Sequence, residues 1–192
     1  HRGPIRTSRE YSGLMEHTQR KYPIGVQTFS EIRRLGCLYI DKTALIYDLA
    51  NSGKIFFLSR PRRFGKSLLV TTLESYFSGR RELFRGLAME GLEKDWTEYP
   101  VLHFDFSGTK YFSESALEEQ LDLQLSRFES VYGKGEGEIS PAGRFGGIIR
   151  RAYRQTGRQV VFLVDEYDAP LLDSSGAPEL QEKLRNMLRS FY

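Results

Sequence analysis

Eight consecutive residues decide the expected fold of this chain: Arg60-Pro61-Arg62-Arg63-Phe64-Gly65-Lys66-Ser67. They follow the apolar run Ile55-Phe56-Phe57-Leu58 and precede a periodic segment from Leu68 to Phe77. A strand, a tight loop and a helix in this order form the context that a phosphate-binding loop requires. In such a loop the backbone N–H groups surround phosphate oxygens, the lysine neutralises phosphate charge and the serine hydroxyl binds Mg²⁺. The stretch therefore predicts a nucleotide site that runs from Arg60 to Leu68.

The loop departs from the general phosphate-loop pattern at one position. That pattern places its first glycine five residues before Gly65, where this chain has Arg60. An arginine tolerates positive φ poorly, which argues against the usual path of the loop around phosphate. Arg60, Arg62 and Arg63 leave three interpretations open: nucleotide contacts or loop shaping, a solvated or ion-paired basic loop, or contacts with nucleic-acid phosphates.

The composition is that of a soluble globular protein with one domain. The chain has 192 residues, of which 40% are hydrophobic and 28% are charged. A net charge of +3 is weak support for nucleic-acid binding. Cys37 is the only cysteine, which excludes an intrachain disulfide and a multi-cysteine zinc site and fits a cytoplasmic setting. No run reaches the roughly 18 apolar residues of a membrane span, and His1, His17 and His103 lack metal-ligand spacing.

The pattern of apolar residues divides the chain into a polar tail, residues 1–21, which we expect to be disordered, and one domain over residues 22–192. Apolar runs predict strands at 54–59, 101–106 and 160–164, and a short extended run at 37–40. Helical spacing predicts helices at 29–35, 42–50, 68–77, 117–128, 145–152 and from Pro178 onward. Because strands and helices alternate, we expect an α/β fold with a mainly parallel sheet and helices on both faces, a three-layer sandwich.

Local signals also predict helix caps and buried side chains. Ser30 and Asp41 stand where they can cap the first two helices, and Ser115 forms a capping box with Glu118. The residues expected to be buried in the first hundred positions, besides the strands, include Ala44, Leu45, Leu49, Leu92 and Trp96.

A second motif follows the third predicted strand. The apolar run Val160 to Val164 ends directly in Asp165-Glu166, the Walker B pattern that delivers carboxylates to the carboxyl edge of a sheet. Many buried strands end in an acidic cap, so the pattern gains its weight from the Gly65-Lys66-Ser67 loop about a hundred residues earlier. We expect Ser67 and Asp165 to hold Mg²⁺, the latter directly or through water. Glu166 and Lys66 are the predicted catalytic residues: Glu166 orients and deprotonates water, and Lys66 offsets phosphate charge.

Several other polar and aromatic residues are weaker candidates. Asp105 and Ser107 follow the second strand at the same predicted edge, where they form either a functional contact or a simple turn. Asp168-Ala169-Pro170 is expected to redirect the chain rather than to react. The tyrosines expected to be core or rim aromatics rather than base-stacking platforms are Tyr39, Tyr111 and Tyr167.

With these residues in view, the chain resembles the AAA-ATPase-like family, P-loop NTPase domains that are often followed by a nuclease-like domain of the PD-(D/E)XK type. The resemblance rests on four stretches: Tyr22 to Phe29, Tyr39 to Thr43, Arg60 to Ser67, and Val164 to Pro170. It implies ATP and Mg²⁺ as ligands and nucleotide binding more firmly than hydrolysis. It makes Arg60 a family feature, and it suggests a role for Asp41-Lys42-Thr43 for which we have no mechanism beyond helix capping.

The resemblance also implies a further strand, later in the chain, between the two motif-bearing strands. The sequence stops at Tyr192 before such a strand, so we expect a fragment of a longer protein with an incomplete sheet. Three functions stay open: an ATP-binding domain that is an ATPase when complete, a non-hydrolysing nucleotide- or anion-binding regulatory or scaffold module for a fused or partner nuclease, and a nucleic-acid-binding module.

Overall fold

The computed structural model describes residues 21–53, 56 and 65–191. The described residues form a mixed α/β structure with eight α-helices, one short 3-10 helix and two β-strands. The helices are α1 (Phe29–Arg34), α2 (Thr43–Ser52), α3 (Lys66–Phe77), the 3-10 helix Arg81–Phe84, α4 (Ala88–Leu92), α5 (Glu114–Tyr132), α6 (Pro141–Thr156), α7 (Ala169–Asp173) and α8 (Pro178–Phe191). The strands are β1 (Val101–Asp105) and β2 (Val161–Asp165).

The two strands pair in parallel, in a register that runs from Val101 opposite Val161 to Asp105 opposite Asp165. Helices α5 and α6 connect β1 to β2, as a parallel pair requires a crossover rather than a hairpin. Both strands were predicted from their apolar runs and are confirmed. Their common carboxyl edge carries Asp105 and Asp165 side by side, whereas the predicted strand at 54–59 lies, apart from Phe56, outside the described residues.

The larger hydrophobic core forms around this strand pair. Leu102 and Phe104 of β1 are fully buried against α5, α6 and α8. Helix α5 contributes Leu117, Leu121 and Leu125, all fully buried, at the helical spacing that predicted this face. The crossover helices thereby cover the sheet and hold the carboxyl edge in place.

A second core lies between α1, α2, α3, the 3-10 helix and α4. Its fully buried centre is Phe29, Phe84 and Met89. Tyr76 of α3 packs edge-on against Phe84, with ring centroids 6.4 Å apart. Helix α3 also contacts β1 and β2, so the second core is joined to the strand pair through α3.

Four local predictions are corrected by the structure. Helix α5 is capped by Ser113 rather than Ser115, because the Ser113 side chain accepts the N–H of Ala116. Ser30 lies inside α1, whose N-cap is Thr28. Leu45 and Leu92 are 68% and 43% exposed, so neither anchors its segment.

The buried face of α2 also differs from the prediction. It consists of Thr43 and Ile46 instead of Leu45, because Thr43 is tied to α4. The run 37–40 forms no strand, although it is described throughout. Within the described ranges, no helix is both long and apolar enough to cross a membrane.

Candidate functional site

The site begins where the chain enters α3. Gly65 adopts φ 78°, in the left-handed region, immediately before Lys66 starts the helix. The positive φ favours glycine here, and among the described residues a Cβ on Gly65 would meet nothing within 4 Å. The Gly65 carbonyl accepts the N–H of Leu69 at 3.1 Å, which makes the glycine part of the first helical turn. Lys66 is thereby held at the end of α3 that attracts anions.

The acidic pair stands at the end of β2. Asp165 is 5% exposed and is the last residue of the strand. Glu166 follows with φ 51°, a conformation that costs a non-glycine residue roughly 1–2 kcal/mol. Its N–H donates to Asp165 Oδ1 at 3.0 Å, and its carbonyl accepts from Ala169 at 2.9 Å. The strand therefore ends in a strained turn whose backbone is held by hydrogen bonds.

The two motifs meet in space. Lys66 Nζ lies 3.5 Å from Glu166 Oε1, and the two side chains are only 13% and 19% exposed. The contact joins positions that are a hundred residues apart in the chain. Lys66, Asp165 and Glu166, which the sequence predicted to act together, are thus neighbours at one edge of the sheet.

These residues line a cleft of about 1350 Å³ between β2 and α3. Leu69 and Leu73 of α3 and Val161 and Leu163 of β2 belong to its walls, and Phe56 lines it as well. Glu93 and Asp95 lie among its lining residues away from the carboxyl edge. The cleft therefore combines a charged end with apolar walls, as small-molecule sites commonly do.

The predicted metal ligands fit a hard cation. Asp165 Oδ1 accepts the Glu166 N–H at 3.0 Å, and within the described part of the chain the other oxygen of this nearly buried carboxylate accepts no hydrogen bond. Ser67 lies in the first turn of α3 and supplies a hydroxyl. Among the described residues, no group of three or more His, Cys, Asp or Glu side chains could hold a metal ion. Mg²⁺ suits such a sparse set of oxygen ligands, because it keeps several waters and takes the rest of its shell from phosphates.

Part of the predicted nucleotide loop is not covered. Arg60, Pro61, Arg62, Arg63 and Phe64 lie outside the described residues, so their predicted contacts stay predictions. The nucleic-acid interpretation depends on the same arginines. Leu68 is described: its carbonyl accepts the hydroxyl of Thr72 at 2.6 Å, and its side chain packs on the second core. The predicted nucleotide contact of Leu68 stays a prediction.

A family model described as "Predicted AAA-ATPase" (AAA-ATPase_like) matches residues 23–192. The chain belongs to this AAA-ATPase-like family. A curated relative from Azotobacter chroococcum mcd 1, named as an uncharacterized protein in the vnfD 5′ region, is 41% identical over 177 residues. The alignment covers 91% of this chain and 34% of the relative, so the chain spans about a third of the relative's length. No solved structure matches the chain.

In this AAA-ATPase-like chain, Asp105 forms a turn at the carboxyl edge. Its Oδ1 accepts the N–H of Ser107 at 2.8 Å, and its Oδ2 accepts the Ser107 hydroxyl at 3.0 Å. The backbone of Asp105 is held by Gln124, whose Oε1 accepts the Asp105 N–H at 2.7 Å while its Nε2 donates to the Asp105 carbonyl at 3.1 Å. Of the two interpretations of Asp105 and Ser107, the turn accounts for these contacts.

The Asp41-Lys42-Thr43 stretch of the AAA-ATPase-like chain links the start of α2 to α4 through hydrogen bonds. Asp41 Oδ1 accepts the N–H and the hydroxyl of Thr43 at 2.8 and 2.7 Å, and Asp41 Oδ2 accepts the N–H of Ala88 at 2.8 Å. The Thr43 oxygen in turn accepts the N–H of Met89 at 3.1 Å. Burial alone would raise the pKa of Asp41, but the hydrogen bonds from Thr43 and Ala88 outweigh it and hold the pKa below its ordinary value. The predicted cap is displaced by one position, because Lys42 is the N-cap residue of α2 and Asp41 stands before it and accepts the N–H of Thr43, the first helical residue. The bonds to α4 add what local sequence could not show.

The three tyrosines behave as core or rim residues, as predicted. Tyr111 is fully buried and donates its hydroxyl to the Phe106 carbonyl at 3.0 Å, and burial raises its pKa to about 12. Tyr39 packs edge-on against Phe29 in the second core. Tyr167 lines the cleft, and burial followed by the negative charge of Asp168 raises its pKa.

Asp168 is the residue whose environment the sequence did not predict. Among the described residues its buried Oδ1 has no hydrogen-bond partner, although Asp168 directly precedes α7. The predicted change of chain direction does occur here, because α7 begins at Ala169. Its place three residues after Asp165 was the one sequence signal that could have pointed to it. Whether a carboxylate oxygen lacks a hydrogen-bond partner depends on packing, which the spacing of residues in the sequence does not show.

Proposed function

We propose that the chain binds ATP together with Mg²⁺ at the carboxyl edge of its sheet, as part of a P-loop NTPase sandwich that is an ATPase in the complete protein. The observation that carries this proposal is the 3.5 Å approach of Lys66 Nζ to Glu166 Oε1. It places a lysine at a helix start beside a strand-end acidic pair, the combination used for phosphoryl chemistry. Family membership supports the same activity.

The proposed roles follow from charge and position. Lys66 neutralises the outer phosphates, while Ser67 and Asp165 supply oxygen ligands for Mg²⁺. Bound Mg²⁺ would offset phosphate charge during transfer. Glu166 is the acceptor for the proton of the attacking water, and the apolar walls formed by Leu69 and Val161 exclude bulk water from the cleft.

Binding is tested by calorimetry with ATP and Mg²⁺ on the wild-type chain, Lys66→Ala and Lys183→Ala. Lys183 is a matched control because its side chain is 63% exposed and pairs with Glu114 on α5, not with the cleft. We expect Lys66→Ala to weaken ATP binding at least tenfold, about 1.4 kcal/mol, and Lys183→Ala to leave it unchanged. Equal affinity in the wild type and Lys66→Ala would reject the site.

Hydrolysis is tested in the longer protein with Glu166→Gln. Loss of a general base typically slows turnover by about 10²–10⁴-fold, so we expect this variant to keep ATP bound and release phosphate slowly. Turnover at the wild-type rate would reject Glu166 as the base and leave the binding proposal intact.

A non-hydrolysing regulatory or scaffold module is the second candidate. The contact of Glu166 with Lys66 favours it, because a carboxylate that neutralises the lysine is not positioned by that contact to activate water. In this case nucleotide or another anion would position a fused or partner nuclease domain. A single-turnover assay separates the candidates: bound nucleotide without phosphate release from the complete protein favours the scaffold.

A further inference from the structure

The contact between Lys66 and Glu166 pairs two charges that are mostly shielded from water. With 13% and 19% of their side chains exposed, the two groups interact more strongly than a surface ion pair of the same length. Among the described residues, each group is the ion-pair partner of the other. An ammonium group engaged in this way is partly neutralised before any other anion reaches it.

The backbone around Glu166 fixes this arrangement. Glu166 has φ 51°, and its N–H and carbonyl are bonded to Asp165 and Ala169. Because both backbone groups are tied, the side chain departs from a rigid turn rather than from a mobile loop. Strain of this kind persists where the surrounding structure imposes it, commonly at functional sites.

We propose that Glu166 is an autoinhibitory anion that occupies Lys66, so that a phosphate group binds only by displacing the Glu166 carboxylate. The inference rests on the nucleotide-binding function proposed above and describes the regulation of that site. A carboxylate and a phosphate are both acceptors for the three N–H donors of a lysine, and they compete for the same charge. Displacement would release Glu166 from its ion pair at the moment when nucleotide arrives, which couples phosphate binding to the freeing of the acidic residue.

The test is calorimetric titration of the full chain with ADP in EDTA, which removes Mg²⁺ and hydrolysis from the measurement. The variants are Glu166→Gln, Glu166→Asp, Asp95→Asn and the double variant Lys66→Ala/Glu166→Gln. Asp95 is the matched control, because it lines the same cleft, is exposed and makes no contact with Lys66. Its removal changes the net charge by the same amount as Glu166→Gln.

We expect Glu166→Gln to tighten ADP binding by about three- to tenfold, the scale of one partly shielded ion pair. Glu166→Asp keeps the charge but shortens the side chain by one methylene, and it should give a smaller gain. Asp95→Asn should stay within about twofold of the wild type. The double variant should lose the gain, because the freed lysine is then absent.

The outcomes separate this inference from the proposed function. Three results would overturn the inference while nucleotide binding stands. The wild type could bind ADP with no gain in affinity in Glu166→Gln, Asp95→Asn could gain as much affinity as Glu166→Gln, or the gain could persist in the double variant that lacks Lys66. If only Glu166→Gln bound ADP, the result would support both the inference and the proposed function, since it would show that Glu166 keeps phosphate from Lys66. No ADP binding by any variant would overturn the inference, and the titration with ATP and Mg²⁺ would then decide the proposed function by itself. Should Glu166→Gln fail to fold by circular dichroism, Glu166→Asp decides, since a gain supports the inference and an affinity equal to or below that of the wild type overturns it.

Discussion

Thr43 shows how one buried hydroxyl can join two helices. It is fully buried, donates to Asp41 and accepts the N–H of Met89 at the start of α4. Helix α4 is too short to be stable alone, so its position depends on such contacts. The second core, which contains Met89, is therefore organised partly by a single polar side chain.

Thr43→Val and Thr43→Ser separate this hydroxyl from the side-chain methyl. Valine has the same shape but leaves the buried Met89 N–H without its acceptor, so we expect a loss of about 1–3 kcal/mol in the free energy of unfolding. Serine keeps both hydrogen bonds and should lose about 1 kcal/mol or less. Urea unfolding monitored by circular dichroism measures both. A larger loss in Thr43→Ser than in Thr43→Val would show that the methyl, not the hydroxyl, carries the contact.

Asp41 makes the link between α2 and α4 sensitive to pH. Its pKa is lowered in the folded chain, so its contribution is present above the ordinary aspartate pKa of about 4 and is lost as the pH falls through the lowered value. Asp41→Asn can still accept from Thr43 but loses the bond from the Ala88 N–H. At pH 7 we expect it to be about 1 kcal/mol less stable than the wild type, with the difference shrinking below pH 4. A difference that stays constant from pH 7 to pH 3 would contradict this.

The residue scale also shows where local sequence stops being informative. The bond from the Thr43 N–H to Asp41 follows from the place of Asp41 just before a helix, since Thr43 is two residues away. Its bond to Ala88 spans 47 positions, and no local pattern encodes such a partner. Leu45 was expected to be buried and is exposed, because the hydrogen bonds to α4, rather than apolar spacing, set which face of α2 is buried.

Among the elements, α6 carries a close approach that explains one of its glycines. A Cβ on Gly147 would collide with the carboxylate of Glu138. Glu138 cannot move without cost, since Arg151 Nη1 donates to both its oxygens at 2.9 Å. The absent side chain of Gly147 thus makes room for the ion pair that fastens the preceding loop to α6.

Gly146→Ala and Gly147→Ala form a matched pair in the same helix turn. Alanine at 146 would come no closer than 3.4 Å to Arg150, so we expect the usual helix gain of about 0.5–1 kcal/mol. Alanine at 147 has the same propensity but displaces Glu138, and the variant should be about 1–2 kcal/mol less stable than Gly146→Ala. Thermal or urea unfolding compares them. Equal stabilisation by both substitutions would mean that the Glu138 ion pair contributes nothing.

Long periodic elements could be predicted from sequence, and short ones could not. The buried face of α5 follows from helical spacing, because burial on one face imposes the period, and β1 and β2 follow from their short apolar runs. The five-residue helices α4 and α7 contain too few turns to show any period. The Ser113 cap was missed because Ser115 offers an equally good local signal two residues later.

On the scale of the whole molecule, two hydrophobic cores meet at α3. One surrounds the strands with α5, α6 and α8, and the other gathers α1 to α4. Helix α3 contacts both strands and α1, so it belongs to the interface between the cores. Since Lys66 begins α3 and Glu166 follows β2, the candidate site lies where the two cores join.

Ile46→Val and Ile148→Val test whether the cores open separately. Both residues are buried, Ile46 in the second core and Ile148 in the larger one, and each substitution should cost about 0.5–1.5 kcal/mol. We expect Ile46→Val to speed hydrogen exchange in α1 to α4, and Ile148→Val in α5, α6 and the strands. Mass spectrometry of exchanged peptides measures this. Equal acceleration across the chain in both variants would identify one cooperative unit.

The candidate site was predictable in its members but not in its contacts. Parallel strands end at one edge, which is enough to place Asp165 and Glu166 at the carboxyl edge where we expected the Lys66 loop to open. The ion pair between Lys66 and Glu166 depends on the positive φ of Glu166. Glutamate seldom adopts that conformation, so no sequence rule would have assigned it.

Gln124 has a consequence for solubility. Its amide bonds the N–H and carbonyl of Asp105 much as the backbone of a neighbouring strand would, on the side of β1 away from β2. Exposed sheet edges invite strands from other molecules and lead to aggregation. Gln120 also donates to the Asp105 carbonyl, at 3.2 Å, so within the described part of the chain two glutamines occupy the backbone groups of this strand end. Those groups are then unavailable to a strand from another molecule.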